Sequence, residues 1–359
     1  MSPARGCYTA AMQEPSRSRK KSRITSLDIA HRAGVSQATV SRVLAGSPLV
    51  NAETRRRVEH AVKELNYKVD RHASSLRTQR AGTLALLLFE DPTSDDSHIN
   101  PFFLSMLGSI TRACARHGHD LLVSFQQLSD DWHADYEDSM KADGLILLGY
   151  GDYLAYEAKL AQLVAQGTHF VRWGHVWPDQ PGVTIGCDNH AGGLLVGRHL
   201  REAGRQRVAF VGHASERFPE FYARYRGCDT ALRETGAGMR PELQVDADST
   251  EQAGYDATCA LLARGLWFDA LFAASDLIAI GAMHALQDAG LRIPEDVAVV
   301  GFDGTSMARS ANPPLSTVVQ DTSKAGELLV QALLQQVRGQ SAQGLMLQPT
   351  LEVRASSGG

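Results

Sequence analysis

The hydrophobic positions that follow a polar N-terminal stretch recur at helical spacing and predict three short helices within residues 25–68. The apolar face of the first helix consists of Leu27, Ile29, Ala30 and Ala33. Thr25 is a suitable N-cap for this helix. Gly34 ends it, because glycine adopts the left-handed conformation that a tight exit needs.

The second and third helices follow after short turns. Ser36 is predicted to cap a helix from Gln37 to Ala45, and Asn51 to cap the third helix. Their inward faces consist of Val40, Val43 and Leu44 in the second helix and of Val58, Ala61, Val62 and Leu65 in the third. Two short helices joined by a turn at residues 34–36 are typical of a helix-turn-helix, which places its second helix in the DNA major groove.

From Gly82 onward, apolar runs of strand length alternate with helical patterns. The runs are Thr83–Phe89, Leu121–Phe125, Gly144–Gly149, Val208–Gly212, Ala270–Ala274 and Val297–Phe302. Continuous apolar strands separated by helices indicate parallel sheets covered on both faces. Two such blocks, about 82–188 and 189–320, predict two doubly wound subdomains with a ligand cleft between them.

Charge is distributed unevenly along the chain. Residues 15–80 carry fifteen Lys/Arg and five Asp/Glu, a net charge of +10; because the whole chain carries −4, the remainder carries −14. A basic N-terminal part on an acidic body indicates a polyanionic partner for the first part. Residues 1–23 have no apolar periodicity and are predicted to be a disordered basic tail. Its basic run at 16–23 fits two roles equally well, solubilising charge and additional phosphate contacts.

Composition bounds the class of protein. A chain of 359 residues with 43% hydrophobic content can form two or three cores. It has no apolar run near the ~20 residues that cross a bilayer and no signal-peptide pattern, so we expect a cytoplasmic protein with no membrane partner. The five cysteines are scattered, and neither a metal site nor a cofactor is indicated. Gly192, Gly193 and Gly197 do not form a phosphate-binding fingerprint, and no nucleophile–base spacing indicates an enzyme.

Segments in a fixed order resemble the lac-repressor (LacI/GalR) family. They are residues 24–46, 50–55, 64–67, Ala73–Leu76, Asn100–Phe103, Ala274–Met283, Val300–Asp303 and Pro313–Gln320. The resemblance therefore covers nearly everything after residue 23. The chain departs from the family at Val69, where a proline often precedes the hinge, and in the insertion 91–97. Ser249 and Thr322 lie near positions at which the namesake of the family is aromatic.

The resemblance implies an all-α helix-turn-helix headpiece fused to an α/β core of the type I periplasmic-binding-protein-like kind. The predicted parts are a basic tail (1–23), a headpiece (24–68), a hinge helix or linker (69–81) and a core for ligand binding and dimerisation (82–359). Within the core, subdomain one is predicted to comprise 82–188 and 322–343, and subdomain two 189–320 and 344–355. The resemblance also implies a homodimer that binds a near-palindromic operator in double-stranded DNA.

Side chains near the start of the second helix are predicted to reach base edges. Gln37 can form two hydrogen bonds with adenine, Arg42 can form two with guanine, and Ala38 offers a methyl group. The residues placed for phosphate contacts are Thr25, Ser36, Thr39, Ser41, Asn51 and Thr54. Outside this motif, Gln37 and Arg42 would be interpreted as solvated helix surface.

The linker carries a second DNA hypothesis, at Ala73 and Leu76. In the resembling family, paired hinge helices insert leucines into the minor groove, which kinks the duplex. Leu76 is the predicted wedge; the alternative is a core leucine beneath the linker. A short isolated helix is marginal in water, so we expect the hinge to form only on DNA.

The effector site is predicted at the cleft. The candidates are Asn100, Phe102, Phe103, Arg172, Trp173, Arg224, Ser275, Asp276 and Asp303. Arginine and carboxylate suit the vicinal hydroxyls of a sugar, and aromatic rings suit its faces. Arg224 matches the ligand-binding arginine of the family, and Asp303 ends a strand where ligands of α/β sheets gather. Core packing accounts for Trp173 equally well, Arg172 could form a structural ion pair, and Asp276 could simply cap a helix.

The combined prediction is a dimeric repressor that a small sugar releases from its operator, with a glucoside or oligosaccharide favoured over a nucleobase. Ligand-assisted DNA binding remains the alternative, because the family contains both. A transport receptor would need an export signal and no headpiece, and an enzyme would need a catalytic motif. The sequence has no leucine-heptad tail, which favours a dimer over a tetramer.

Overall fold

The chain folds into two compact units, Met1–Ser74 and Ser75–Gly359. The computed structural model describes residues 24–44, 46–67, 80–88, 99–125, 130–149, 152–177, 180–234, 236 and 238–358. Helices of the first unit are α1 (Ser26–Ala33), α2 (Gln37–Leu44) and α3 (Ala52–Glu64).

Each helix of the first unit begins at its predicted cap. The N–H and the hydroxyl of Thr25 both donate to the carboxylate of Asp28, each at 2.7 Å. Ser36 Oγ accepts from the N–H of Thr39 at 3.2 Å, and Asn51 Oδ1 accepts from the N–H of Thr54 at 2.7 Å. These side chains satisfy backbone donors that have no partner within the helix. α1 ends at Gly34, whose φ of 64° lies in the left-handed region.

The core of the first unit is smaller than the hydrophobic pattern predicts. Its buried members are Ile29, Ala30, Ala33, Val40, Val43, Val58 and Ala61. The prediction that Leu27 and Leu44 face inward is wrong, because they are 62% and 37% exposed. At 3.6 residues per turn, Leu27 points roughly 110° away from the centre of the face set by the buried residues of α1.

The second unit contains two six-stranded sheets. The first consists of β1 (Thr83–Leu88), β2 (Asp120–Phe125), β3 (Leu145–Leu148), β4 (Phe170–Trp173), β5 (Val183–Cys187) and β11 (Leu345–Leu347). The second consists of β6 (Val208–Val211), β7 (Gln244–Val245), β8 (Ala270–Ala273), β9 (Ala298–Asp303), β10 (Ser316–Val319) and β12 (Thr350–Glu352). The strand orders are β11-β5-β4-β3-β1-β2 and β12-β10-β9-β8-β6-β7. All pairings are parallel except that of β12 with β10.

Helices connect the strands and cover the sheets. They are α4 (Pro101–Arg116), α5 (Tyr153–Ala165), α6 (Asn189–Glu202), α7 (Pro219–Arg233), α8 (Glu251–Ala263), α9 (Asp276–Asp288), α10 (Ser306–Ser310) and α11 (Thr322–Val337). A π-helical turn (Ala134–Asp138) and two 3-10 turns (Pro241–Leu243 and Ala355–Ser357) complete the described elements. Because parallel strands bury both faces, the two sheets form separate hydrophobic cores, as the alternating pattern predicts.

The C-terminal segment divides differently from the prediction. Residues 344–355 were assigned to subdomain two, but β11 pairs with β5 of the first sheet, with Leu345 opposite Ile185. Only β12 joins the second sheet. Leu345 and Met346 are 44% and 45% exposed, so this short edge strand lacks the buried apolar run that marks the central strands.

Glycines fix the depth at which α7 lies against α6. A Cβ atom on Gly193 would lie 2.1 Å from the carbonyl oxygen of Arg224, and one on Gly227 would lie 2.1 Å from that of His190. The two helices therefore pack backbone against backbone, which only glycine permits. This contact gives the glycines of α6 a structural role and sets the position of Arg224.

Candidate functional site

The start of α2 presents the predicted base-reading residues to solvent. Gln37, Ala38 and Arg42 are exposed, whereas Thr39 and Ser41 are half-buried. The side-chain amide of Gln37 donates to Ser26 Oγ at 2.9 Å, which ties its position to the beginning of α1. A glutamine amide has a second N–H and a carbonyl oxygen, the pair that an adenine edge requires. The sequence did not single out Ser26.

The remaining predicted phosphate ligands lie at helix starts of the same unit. Thr25 and Ser36 are exposed beside α1 and α2, and Asn51 and Thr54 stand at the start of α3. Backbone N–H groups at such helix ends favour anions. Ala73 and Leu76, the predicted minor-groove residues, lie outside the described residues.

The linker enters the core at the first sheet. The carboxylate of Asp143, just before β3, accepts the N–H of Ala81 at 2.6 Å and that of Gly82 at 2.7 Å. Asp143 in turn donates its own N–H to the carbonyl of Thr83 at 2.8 Å. Residues 81 and 82 are thus fixed at the amino ends of the strands of the first sheet, opposite to the carboxyl ends.

A buried ion pair lies at the carboxyl ends of the second sheet. Arg224 on α7 has no exposed surface, and Asp303, the last residue of β9, is 3% exposed. The guanidinium Nη1 lies 3.6 Å from Asp303 Oδ1 and also donates to the carbonyl of Ala274. Its Nε donates to Asn189 Oδ1 at 2.8 Å, and its Cζ lies 3.8 Å from the ring centroid of Phe302. The structure therefore brings these two predicted effector residues together.

Asp303 adopts a backbone conformation that is costly for a residue with a side chain. Its φ is +118°, outside the regions that such residues normally occupy. Gln320 Nε2 donates to Asp303 Oδ1 at 2.8 Å, and its backbone N–H points to the Asp303 carbonyl at 3.5 Å. Strain of this kind persists where surrounding contacts determine the conformation, as at binding sites.

A chain of polar contacts crosses between the two subdomains. Asn100 Nδ2 donates to Ser249 Oγ at 3.1 Å, and Ser249 donates to Ser275 Oγ at 2.8 Å. Ser275 Oγ also accepts from the N–H of Ile278 at 3.3 Å, which caps α9. Asn100 and Ser275, both predicted effector residues, are thus buried within one relay, and Ser249 is the link.

The predicted aromatic residues pack in the core of the first subdomain. Phe102, Phe103 and Trp173 are 1%, 6% and 3% exposed, and all three belong to one hydrophobic cluster. The ring centroids of Phe102 and Trp173 lie 6.1 Å apart, and those of Phe102 and Phe103 lie 5.3 Å apart. Trp173 therefore packs in the hydrophobic core, which is the alternative that the sequence offered for it.

Arg172 points to the sheet face opposite to Trp173, as alternation along β4 requires. Its Nε donates to Thr184 Oγ1 at 2.9 Å, and its Nη2 to the carbonyl of His175 at 3.0 Å and Gln180 Oε1 at 3.2 Å. Burial lowers the pKa of Arg172, and the negative charge of Glu220 opposes that shift.

Asp276 holds three elements of the second subdomain together. Its Oδ2 accepts the N–H of Thr305 at 2.7 Å and the hydroxyl at 2.9 Å, and its Oδ1 accepts the Thr317 hydroxyl at 2.5 Å. Asp276 is fully buried. The capping interpretation of Asp276 is wrong, because the N-cap of α9 is Ser275 and the carboxylate of Asp276 instead joins the start of α9 to β10 and to the residue before α10.

Several residues of the seam between the subdomains were not predicted. Asn189 and Gln320 hold Arg224 and Asp303, and both follow the carboxyl end of a strand, which is the signal that could have indicated them. A second polar and aromatic group, outside the predictions, consists of Tyr153, His175, Trp177 and Glu220.

Neither a membrane span nor a metal cluster is found in the described part of the chain. No described helix is both long enough and apolar enough to cross a bilayer. Among the same residues, no group of three or more His, Cys, Asp or Glu side chains is arranged to hold a metal ion.

A helix-turn-helix headpiece followed by a two-subdomain α/β core with buried polar groups at its seam defines the class of ligand-sensing transcription regulators. Residues 25–70 match the family described as bacterial regulatory proteins, lacI family. Residues 198–357 match the periplasmic binding protein-like domain.

Relatives of known role or structure cover more than nine tenths of this chain. The HTH-type transcriptional regulator CelR of Thermobifida fusca is 31% identical over 335 residues, covering 91% of this chain and 96% of CelR. A structure described as a CelR–cellobiose complex has a TM-score of 0.68 at 30% identity, covering 93% and 100% of the two chains. The lac repressor dimer bound to operator and the anti-inducer ONPF has a TM-score of 0.77 at 27% identity, covering 93% and 99%. The chain belongs to the lacI family of bacterial regulatory proteins.

Replacement of Asp276 by Asn is expected to remove one pH-dependent contribution to stability. Burial raises the pKa of this carboxyl from 3.8 to about 6. The folded protein therefore binds the proton more tightly than the unfolded chain, so its contribution is fully present below about pH 4 and is lost as the pH rises through about 6. Between about pH 7.5 and 5, we expect the wild type to gain on the order of 1 kcal/mol relative to Asp276→Asn.

Urea unfolding of both proteins at the two pH values provides the measurement. The amide can keep the N–H of Thr305 on its oxygen and donate to the Thr317 hydroxyl, so the fold should survive. Equal pH dependence of the wild type and the variant would contradict the prediction.

Proposed function

We propose that this protein is a transcription repressor that binds a near-palindromic operator as a homodimer and leaves it when a small sugar fills the core. The observation that carries the proposal is the buried Arg224–Asp303 pair at the carboxyl ends of β-strands, in a chain whose headpiece exposes Gln37 and Arg42. Because the partner is chromosomal DNA, the proposed site of action is the cytoplasm.

The DNA side of the proposal assigns base reading to Gln37 and Arg42. Both are exposed at α2, and Ser26 holds the Gln37 amide. Helix-turn-helix docking presents the start of the second helix to the major groove. Minor-groove contact by Leu76 remains part of the proposal, supported by the family resemblance alone.

Arg42→Ala is expected to reduce operator affinity much more than affinity for random DNA. Loss of a bidentate contact to guanine should cost ~1–3 kcal/mol in each half-site. Fluorescence anisotropy on a duplex selected from a randomised library, against an unselected duplex, measures the ratio. The matched control is Arg56→Ala on α3, which removes the same charge from an exposed position of the headpiece.

Arg56→Ala should weaken both duplexes by a similar factor, because phosphate attraction is independent of sequence. If Arg42→Ala also weakens both equally, then Arg42 contacts phosphate and does not read a base.

The homodimer part of the proposal is supported by an apolar edge of the first sheet. β2 is an edge strand, and its Leu122, Val123 and Phe125 are 37%, 42% and 38% exposed. Leu104 on α4 is 46% exposed. An exposed apolar edge strand favours pairing with another chain, and we assign it to the second copy.

Val123→Glu is therefore expected to weaken the dimer at least tenfold, about 1.4 kcal/mol, because a charge would be buried at the interface. Sedimentation analysis across a concentration series measures the dimer dissociation constant. Val164→Glu on α5, where the side chain is 50% exposed, is the matched control and should stay dimeric. If Val123→Glu and Val164→Glu both dimerise with the dissociation constant of the wild type, then β2 does not lie in the interface.

The effector side of the proposal rests on the chemistry of the buried pair. A guanidinium and a carboxylate held at fixed positions can bind the vicinal hydroxyls of a sugar in bidentate fashion. The relative described as a complex with cellobiose supports a glucoside or oligosaccharide. Ligand and DNA would be coupled because a ligand bound at the seam favours one arrangement of the subdomains, and the linker is fixed to the first of them by Asp143.

Asp303→Asn is expected to yield a repressor that binds operator and is not released by sugar. The side chain keeps its shape but loses the charge that pairs with Arg224, so sugar affinity should fall about a hundredfold, on the order of 3 kcal/mol. Calorimetry with a sugar that releases the wild type measures binding, and anisotropy measures release. Asp256→Asn, an exposed change of the same kind on α8, is the control.

If Asp303→Asn binds the sugar with wild-type affinity, then Asp303 is not part of the effector site. Loss of operator binding together with sugar binding would instead assign it a structural role.

A further inference from the structure

A second arginine–carboxylate centre lies one helical turn from the first. Glu220 and Arg224 are four residues apart on α7, so they share a face with a rise of ~6 Å between them. Beside Glu220 lies Arg172 of the first subdomain: its Nη1 and Glu220 Oε1 lie 2.9 and 3.2 Å from the position that a Cβ on Gly174 would occupy. We call Arg224 with Asp303 the inner centre, and Arg172 with Glu220 the outer centre.

The outer centre is bordered by aromatic rings from the start of α5 and from the loop that follows β4. The Trp177 ring contacts two others edge to face, with its centroid 4.6 Å from that of Tyr153 and 4.7 Å from that of His175. The guanidinium of Arg172 lies 5.1 Å from the Tyr153 centroid. All three rings are half-buried, so each retains accessible surface.

The outer centre also spans the two subdomains. The backbone N–H of His175 donates to Glu220 Oε1 at 2.7 Å, and that of Tyr153 donates to the carbonyl of Arg217 at 2.8 Å. Arg217 Nη1 pairs with Asp152 Oδ2 at 2.5 Å. The rings thus belong to the first subdomain, whereas the carboxylate belongs to the second.

Two features of the outer centre exceed what a structural contact needs. Arg172 and Glu220 are 6% and 8% exposed, and desolvating two charges costs several kcal/mol each, which an apolar seam would avoid. The ring nitrogen Nδ1 of His175 is buried and has no hydrogen-bond partner among the described residues. A buried polar atom without a partner is costly, and a ligand hydroxyl would satisfy it.

We propose that the outer centre is a second sugar subsite, so that the effector is a disaccharide or longer oligosaccharide. One pyranose ring occupies the inner centre and the next occupies the outer centre, where Glu220 and His175 Nδ1 bind its hydroxyls and Trp177 packs against its face. The spacing of one helical turn along α7 matches two consecutive rings. This inference rests on the proposed sugar-responsive function and specifies its ligand.

The test compares disaccharides with their constituent monosaccharides on the full-length protein. Thermal unfolding is measured with glucose, cellobiose, maltose and gentiobiose, and calorimetry then gives affinities. We expect at least one disaccharide to bind at least tenfold more tightly than glucose. Trp177→Ala should lower that affinity at least tenfold and change glucose affinity less than twofold, whereas Trp177→Phe should retain most of it.

Trp267→Ala is the matched control, because Trp267 is 56% exposed and precedes β8, at the strand edge away from the seam. It should leave the affinities for both sugar classes unchanged. Glu220→Gln serves as a second variant and should show the same selective loss if Trp177→Ala does not fold.

The possible outcomes separate the two proposals. Glucose binding as tight as that of every disaccharide, or equal losses for both classes in Trp177→Ala, would overturn the second subsite and leave the sugar-responsive function standing. A protein that binds none of these sugars would overturn the glucoside-responsive function, and the second subsite with it.

Discussion

The core depends on one constraint, which is that the guanidinium of Arg224 has no contact with solvent. Removing Arg224 from water costs several kcal/mol unless partners replace the water, and the partners come from separate elements. Asn189 begins α6, Ala274 follows β8, and Asp303 ends β9. One side chain therefore requires three strand or helix ends to converge, and the glycine contact between α6 and α7 sets the depth at which this occurs. The strained backbone of Asp303 is tolerated because Arg224 and Gln320 both hold its carboxylate.

The sequence predicts this protein well where local chemistry decides the structure. Caps at Ser36 and Asn51 lie where they were predicted, because a single side chain satisfies a nearby N–H. Apolar runs predicted β1, β2, β3, β6, β8 and β9. They missed the buried strands β4, β5 and β10, because an arginine interrupts β4 and polar residues interrupt β5 and β10. β11 was misassigned because its partner is distant in sequence. The seam shows the same limit: residue types indicated Arg224 and Asp303, whereas the relay through Ser249 depends on contacts between residues that are far apart in the chain.

The N-terminal part and the rest of the chain carry opposite net charges, and a single surface could not carry both. The basic N-terminal part suits a polyanion, and the acidic remainder, with a net charge of −14 outside residues 15–80, would repel one. Asp143 is the point at which the described linker residues become part of the core, through two short hydrogen bonds to consecutive N–H groups. Those residues therefore follow any movement of the first sheet at the amino ends of its strands, whereas Arg172 of the outer centre lies near the carboxyl end of β4.

The C-terminal strands limit how the core can move. β11 ends at Leu347 in one sheet and β12 begins at Thr350 in the other, with two residues between them. With consecutive Cα atoms 3.8 Å apart, those strand ends can never separate by more than about 11 Å. Translation of one subdomain away from the other is therefore excluded beyond that reach, and opening has to proceed as a rotation with this edge near its axis. In such a rotation, the displacement of a residue grows with its distance from the axis. Residues near Leu347 therefore move little, and residues at the far edge of each sheet move the most.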